Sequence, residues 1–257
     1  MRTVVMIATK RGIKRNSFFF LKTMRTSHSK NENETKGSSA ASREDQHQQE
    51  PASAPERYNG PKYPNEMNQK QKGIYNSILK SRPNTGINGP FGPWLSIEAI
   101  AEPASQLGKV LRYDTSLSFR ESELIILLTA SKMKSNTEFQ IHRGEALKAG
   151  ISMDLISTIR RPFDEIDLSL ETIENNVIQL LDNDREKAIV AFTAELLDTS
   201  TVSDETYEST KACCDNKDSV LVEITSIIGY YTYVAYTLNV FRIPVSNNDA
   251  NDNETNN

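Results

Sequence analysis

Residues 118–150, SFRESELIILLTASKMKSNTEFQIHRGEALKAG, narrow the possible folds more than any other stretch of the chain. Ser118 with Glu121 three residues later is a capping box, and Leu124, Ile125, Leu127, Leu128 and Met133 continue the helix it opens with an almost wholly apolar body. Such a helix has no polar face to give to water, so it has to be buried. Ser135 with Glu138 reads as a second capping box. The helix that follows carries Phe139, Ile141, Ala146 and Leu147 and ends at Gly150, the usual residue for a left-handed C-terminal position. The two helices form an αα-hairpin. Glu138 and His142 are four apart and share a face, and an antiparallel return brings Glu123 of the first helix opposite them.

The remaining segments are also helical or unstructured. Residues 1–30 hold eight Lys/Arg and no acid, residues 31–50 sum to −3, and residues 51–257 carry −9 of the total charge of −4. The basic leader, with hydroxyl residues and short apolar patches, reads as a mitochondrial transit peptide in 1–30 or as a basic tail. Residues 1–57 together read as disordered leader and linker, 58–246 as one folded domain, and 247–257, acidic and rich in Asn, as a disordered tail. Helical spacing marks Asn68–Lys80. The loop SRPNTGINGPFGPW follows, and in it Phe91 and Trp94 either anchor the loop to the core or meet a ligand. In Ser96–Tyr113 the positions Ile97, Ile100, Leu107, Val110 and Leu111 are expected to face inward, with Pro103 kinking the helix or restarting it. Further helices are expected from Ser152 to Arg161, over 169–181, over Asp184–Thr199 and from Ser203 to about Cys214. The last, Ser219 to about Phe241, is apolar nearly all round and belongs in the middle of the domain or in a subunit interface. Strand signals are nearly absent, so the fold class is all-α.

Composition excludes several functions. An acidic domain without a basic stripe does not suit nucleic acid, because phosphate neutralisation needs clustered Lys and Arg. No run reaches the roughly twenty apolar residues of a helical membrane span. Cys213 and Cys214 are adjacent and form neither a CxxC pair nor a metal-ligand pattern. One histidine and scattered carboxylates do not make a metal site in the folded part, and no cofactor motif is present. The chemistry left is acid–base. His142 either exchanges protons near neutral pH or is a hydrogen-bonded core histidine. Glu138 either caps its helix or lines a pocket. Glu123, next to a deeply apolar run, needs a partner, and His142 is the expected one. Arg112 and Arg120 are candidates for gripping a substrate carboxylate, because the guanidinium fork matches it, and Asn239 is a candidate for a hydrogen bond in the pocket or across a subunit boundary.

With these segments in place, the chain from Tyr58 to Val245 resembles the carboxymuconolactone decarboxylase family of the AhpD-like superfamily. The residues that carry the resemblance are NGPFGPW, LGKVLRYDTSLSFRESELIILLTA, Glu138-Phe139-x-x-His142 with its ALKAG continuation, and IGYYTYVAYTLNVFRIP. The resemblance implies a helical domain built around the central hairpin, a homo-oligomer (trimer or hexamer), and a small-molecule pocket near the acid and the histidine. The family's redox branch, the alkylhydroperoxidases, places a CxxC pair at the start of the second hairpin helix. Here His142 and Glu123 match that pattern, while Ser135 and Glu138 stand in the two cysteine positions. Neither can form the sulfenic acid or disulfide of a thiol peroxidase. The family therefore implies a metal-independent acid–base enzyme acting on a small organic acid or lactone, with His142, Glu123 and Glu138 catalytic and Arg120, Arg112, Asn239 and Phe91 binding substrate. The alternative is a non-catalytic helical oligomer that binds a small ligand or acts as a scaffold. AhpD-type peroxidase activity is a third reading.

Overall fold

Ten α-helices and two short 3₁₀ turns make up the computed structural model over the residues it describes, 55–61, 63–82, 88–160 and 170–245; no strand occurs among them. The proposed transit peptide and most of the linker, together with the C-terminal tail, lie outside the described residues.

Tyr58 is buried edge-on against Phe241, and the Arg57 amide donates to the Phe241 carbonyl (2.8 Å). Helix α1 (Gln69–Ser81) starts where Asn68 and Gln71 form a reciprocal capping box, and it buries Ile74 and Ile78. The Gly/Pro stretch is less irregular than expected, because Phe91–Leu95 forms a helical turn, α2, with all five residues buried. Trp94 stacks on Tyr233 at 5.0 Å, and its indole N–H donates to Thr237 Oγ1 (3.1 Å). Both Phe91 and Trp94 are buried and pack the stretch onto the core.

Helix α3 (Glu98–Tyr113) runs through Pro103 without restarting. Its inward face differs from expectation: Ile97, Ile100, Leu107 and Val110 are 42–56 % exposed, and of the five expected inward only Leu111 is buried. The body is met instead by Ala101, Ser105 and Gly108. Small residues let the backbone come close, and at Gly108 a Cβ would collide with the Tyr230 hydroxyl and ring. The helix buries its small residues and presents its large ones to solvent.

Helix α4 (Phe119–Lys132) is the centre of the fold. Every residue from Glu121 to Ser131 is buried, so it is surrounded, as its apolar body requires. Ile125 and Ile126 join one core, formed with α1, α2, α3 and the last helix, while Leu124, Leu127, Leu128 and Ala130 join a second. Its turn leads into α5 (Asn136–Lys148). That helix ends as a Schellman motif: Gly150 at φ +78° donates to Leu147 O (3.0 Å), and the Ile151 amide donates to Ala146 O (2.9 Å).

Helix α6 (Met153–Arg160) closes the second core with Leu155, Ile156 and Ile159. The single helix expected over 169–181 is α7 (Leu170–Asn176) followed by a 3₁₀ turn, Ile178–Leu180, which leaves Leu180 exposed. Helices α8 (Asp184–Thr199) and α9 (Asp204–Cys213) form the next pair. The last helix, α10 (Asp218–Phe241), packs on α4 and adds Ile224, Ile227, Ile228, Tyr231, Val234 and Leu238 to the first core. It is not enclosed on all sides, since Val222, Tyr233, Tyr236 and Val240 are exposed. Among the described residues no helix is long and apolar enough to cross a membrane.

Candidate acid–base site

Three of the residues singled out by sequence meet inside the fold. Glu123, one turn into α4, is fully buried, and its Oε2 lies 2.7 Å from His142 Nδ1 on α5. Glu138, one turn before the histidine, places Oε1 3.2 Å from Nε2. Helical spacing accounts for the second contact and the antiparallel hairpin for the first.

Glu138 reaches His142 because it does not cap its own helix. The second capping box is not formed: Ser135 occupies the N-cap position, but its side chain accepts no cap hydrogen bond. Its buried hydroxyl has no hydrogen-bond partner among the described residues, and the same holds for the Ser131 hydroxyl near the end of α4. The same Ser-x-x-Glu spacing at Ser118 gives a reciprocal box, with Glu121 N donating to Ser118 Oγ (3.2 Å) and Ser118 N donating to Glu121 Oε2 (2.7 Å). At Ser135 the amide that Glu138 would cap already donates to the Ala130 carbonyl (2.9 Å), which leaves the Glu138 carboxylate to the imidazole.

A neutral imidazole has one N–H, so with a carboxylate on each ring nitrogen one of them would face an acceptor without a proton. The doubly protonated ring satisfies both. Burial alone would disfavour the charged ring, but the charge and hydrogen bond of Glu123, with those of Glu138, outweigh it and raise the His142 pKa to about 9. His142 is thus an imidazolium at neutral pH. Its ring stands edge-on to Tyr231 of α10 at 5.0 Å.

Arg112, near the end of α3, supplies the second cation. Its Nη1 donates to Glu123 Oε1 (3.2 Å) and its Nη2 to Glu145 Oε2 (2.9 Å). Burial disfavours the guanidinium charge, and Tyr231 and Glu123 beside it more than restore it. Burial pushes the Glu145 carboxyl up, while Lys148 and Arg112 pull it further down. Glu123 is therefore held by two cations. Glu138 has the imidazolium alone as its ionic partner among the described residues.

The expected substrate-binding residues are distributed differently. Arg112 belongs to the cluster, with its fork already on two protein carboxylates. Arg120 is paired elsewhere: Nε donates to Glu186 (2.8 Å) and Nη1 to the Gly150 carbonyl (2.5 Å). Asn239 Nδ2 donates to the Met133 carbonyl (2.9 Å), tying α10 to the hairpin turn. Phe91 packs edge-on against Trp94 at 5.8 Å, with the Arg82 guanidinium over its ring at 5.3 Å. None of these three is brought to the imidazole.

Sequence reasoning missed Tyr231 and Glu145. Glu145 follows His142 by three residues, a spacing that could have flagged it. Tyr231 gave no such signal within a run of four tyrosines. Cys213 and Cys214 end α9, and burial raises the Cys214 thiol pKa. A surface cleft is lined by Asn59, Gly60, Pro61 and Glu66, none of them in the cluster. Among the described residues no group of three His, Cys, Asp or Glu is arranged to hold a metal ion.

No family model matches the sequence, and no curated protein matches it. Among solved structures, the chain is similar to an alkylhydroperoxidase AhpD core, an uncharacterized peroxidase-related protein from Ralstonia eutropha JMP134. The TM-score is 0.58 and the identity 12 %, over 76 % of this chain and 94 % of that one. The chain has the AhpD-like all-helical fold.

Proposed function

We propose, with the AhpD-like fold as premise, that Glu123, His142 and Glu138 are the acid–base centre of a carboxymuconolactone decarboxylase-like enzyme acting on a small organic acid or lactone. The observation that carries this reading is the imidazolium held between two buried carboxylates, a proton donor poised with a base beside it. Glu123, fixed by Arg112, holds the ring through Nδ1 and stabilises its charge. Loss of CO₂ from a keto acid or carboxylated lactone leaves the electron pair of the broken C–C bond as an enolate. His142 delivers the proton to the enolate carbon through Nε2, and Glu138 relays a proton from water to restore the ring, the hydroxide left behind combining with the released CO₂ as bicarbonate. The reading calls on no metal and no cofactor. A homo-oligomer, trimer or hexamer, and mitochondrial import of the basic leader belong to the same proposal by resemblance and composition.

The test is turnover and thermal shift of the full chain against keto acids, carboxylated lactones and hydroperoxides, with His142→Ala and Glu138→Gln alongside. One acid class should raise the melting temperature of the wild type, since a ligand that binds only the native state stabilises it. His142→Ala should lose at least about a hundredfold in kcat for that class. Unchanged turnover in His142→Ala would sink the mechanism.

A second reading, a non-catalytic oligomer in which the cluster is a structural ionic core, is favoured by burial: the His142 side chain is 7 % exposed and Glu138 4 %. It predicts no ligand shift and, in the Glu123→Gln/His142→Asn double variant, a lower melting temperature with no turnover to lose. Peroxidase activity would need a thiolate nucleophile, and the burial of Cys214 works against one there.

A further inference from the structure

The two carboxylates on the Arg112 fork are not equally fixed. Glu123, on Nη1 at 3.2 Å, has a side chain 0 % exposed, and its other oxygen lies on the His142 ring at 2.7 Å. Glu145, on Nη2 at 2.9 Å, has a side chain 29 % exposed. Its other oxygen already accepts from Lys148, three residues further along α5, whose ammonium lies 2.9 Å away. Taking Glu123 off the guanidinium would leave a buried charge short of a partner, which is costly. Glu145 released from Arg112 keeps Lys148 and gains water. One arm of the fork is therefore permanent and the other exchangeable.

Ring surface lies beside the exchangeable arm. The guanidinium carbon is 5.6 Å from the centre of the Phe119 ring and 5.9 Å from that of Tyr113, and both rings are exposed. A guanidinium nitrogen recognises a carboxylate by a charge-assisted hydrogen bond, and exposed rings take up a flat apolar body that extends from it. Glu145 also sets a threshold. An anion that offers charge alone has to compete with a carboxylate tethered in place, whereas one that adds ring contact has a surplus.

We infer that Arg112 Nη2 binds the carboxylate of a flat, unsaturated or aromatic acid, and that Glu145 occupies this position in the free protein until the acid displaces it onto Lys148. The inference deepens the acid–base reading and rests on it for taking that acid as the substrate. One carboxylate replaces another on the same cation, so Glu123 and the imidazolium it holds keep the same charge on the second arm of Arg112 throughout.

The experiment is calorimetric titration of the full chain with benzoate, acetate and benzamide, in the wild type, Glu145→Ala, Lys148→Ala and the double variant. Benzoate should bind the wild type at least about tenfold more tightly than acetate, which lacks the ring, and benzamide, which lacks the charge, should not bind. Glu145→Ala removes the occupant and should tighten benzoate roughly tenfold. Lys148→Ala removes the place to which Glu145 retreats, so it should weaken benzoate about threefold when Glu145 is present and have no effect when it is absent. Equal weakening in both backgrounds would mean that Lys148 acts only as a nearby charge, and would overturn the exchange. Acetate or benzamide binding as tightly as benzoate, or no benzoate binding even to Glu145→Ala, would overturn the site. These outcomes are separable from those of the acid–base reading, because the titration involves no turnover. Benzoate binding as described while no acid is decarboxylated leaves the site standing and sinks the reaction; decarboxylation lost in His142→Ala with no benzoate binding does the reverse.

Discussion

His142 links the site to pH. Its pKa is near 6.5 in an unfolded chain and about 9 in the fold, so the fold binds the extra proton. The stabilisation is therefore fully present below pH 6.5 and is lost as pH rises through 9. Between those limits the loss is on the order of 3 kcal/mol, and His142→Asn should flatten the profile across this window. Denaturant melts of both proteins from pH 6 to 10 would measure it; parallel profiles would show that the ring is not charged. The Glu138 and His142 contact was legible in sequence because four residues on one helix fix it. The Glu123 contact followed from the hairpin. Arg112 and Tyr231 were not legible in their observed roles, since α3 and α10 meet the hairpin only through tertiary packing that no local spacing encodes.

Two helices with the same opening signal behave differently at the scale of the element. Ser118→Ala should cost about 1 kcal/mol, the usual worth of an N-cap, because its reciprocal bonds with Glu121 are formed. Ser135→Ala should cost nothing or stabilise, because it removes a buried hydroxyl that has no partner. Thermal melts of the two single variants would separate them; equal losses would show that both boxes act. The Ser-x-x-Glu pattern alone could not distinguish these sites, because what differs is whether the serine amide is free for the glutamate, as at Ser118, or already bonded to a carbonyl of the preceding helix, as at Ser135. Helix α3 shows the same limit. Its amphipathic pattern was readable, but which face turns inward depends on how closely Gly108 and Ser105 let α10 and its neighbours approach, and larger residues cannot enter that space.

For the whole molecule, the all-helical class and the central place of α4 were legible because an apolar helix has only one kind of environment available to it. The outward face of α3 was not, because helical spacing tells which residues share a face and not whether that face meets a core or solvent. Helix α4 contributes side chains to both hydrophobic clusters, so it is the wall they share. Neither half can then melt while the other stands, since losing either one strips a side of the same helix. The α4 amides should exchange with deuterated solvent only through complete unfolding and share one exchange free energy, whereas graded values along the helix would point to independent halves. The glutamate that holds the imidazolium is set in that wall, so a proton taken up by one ring is felt by both halves through the helix they share.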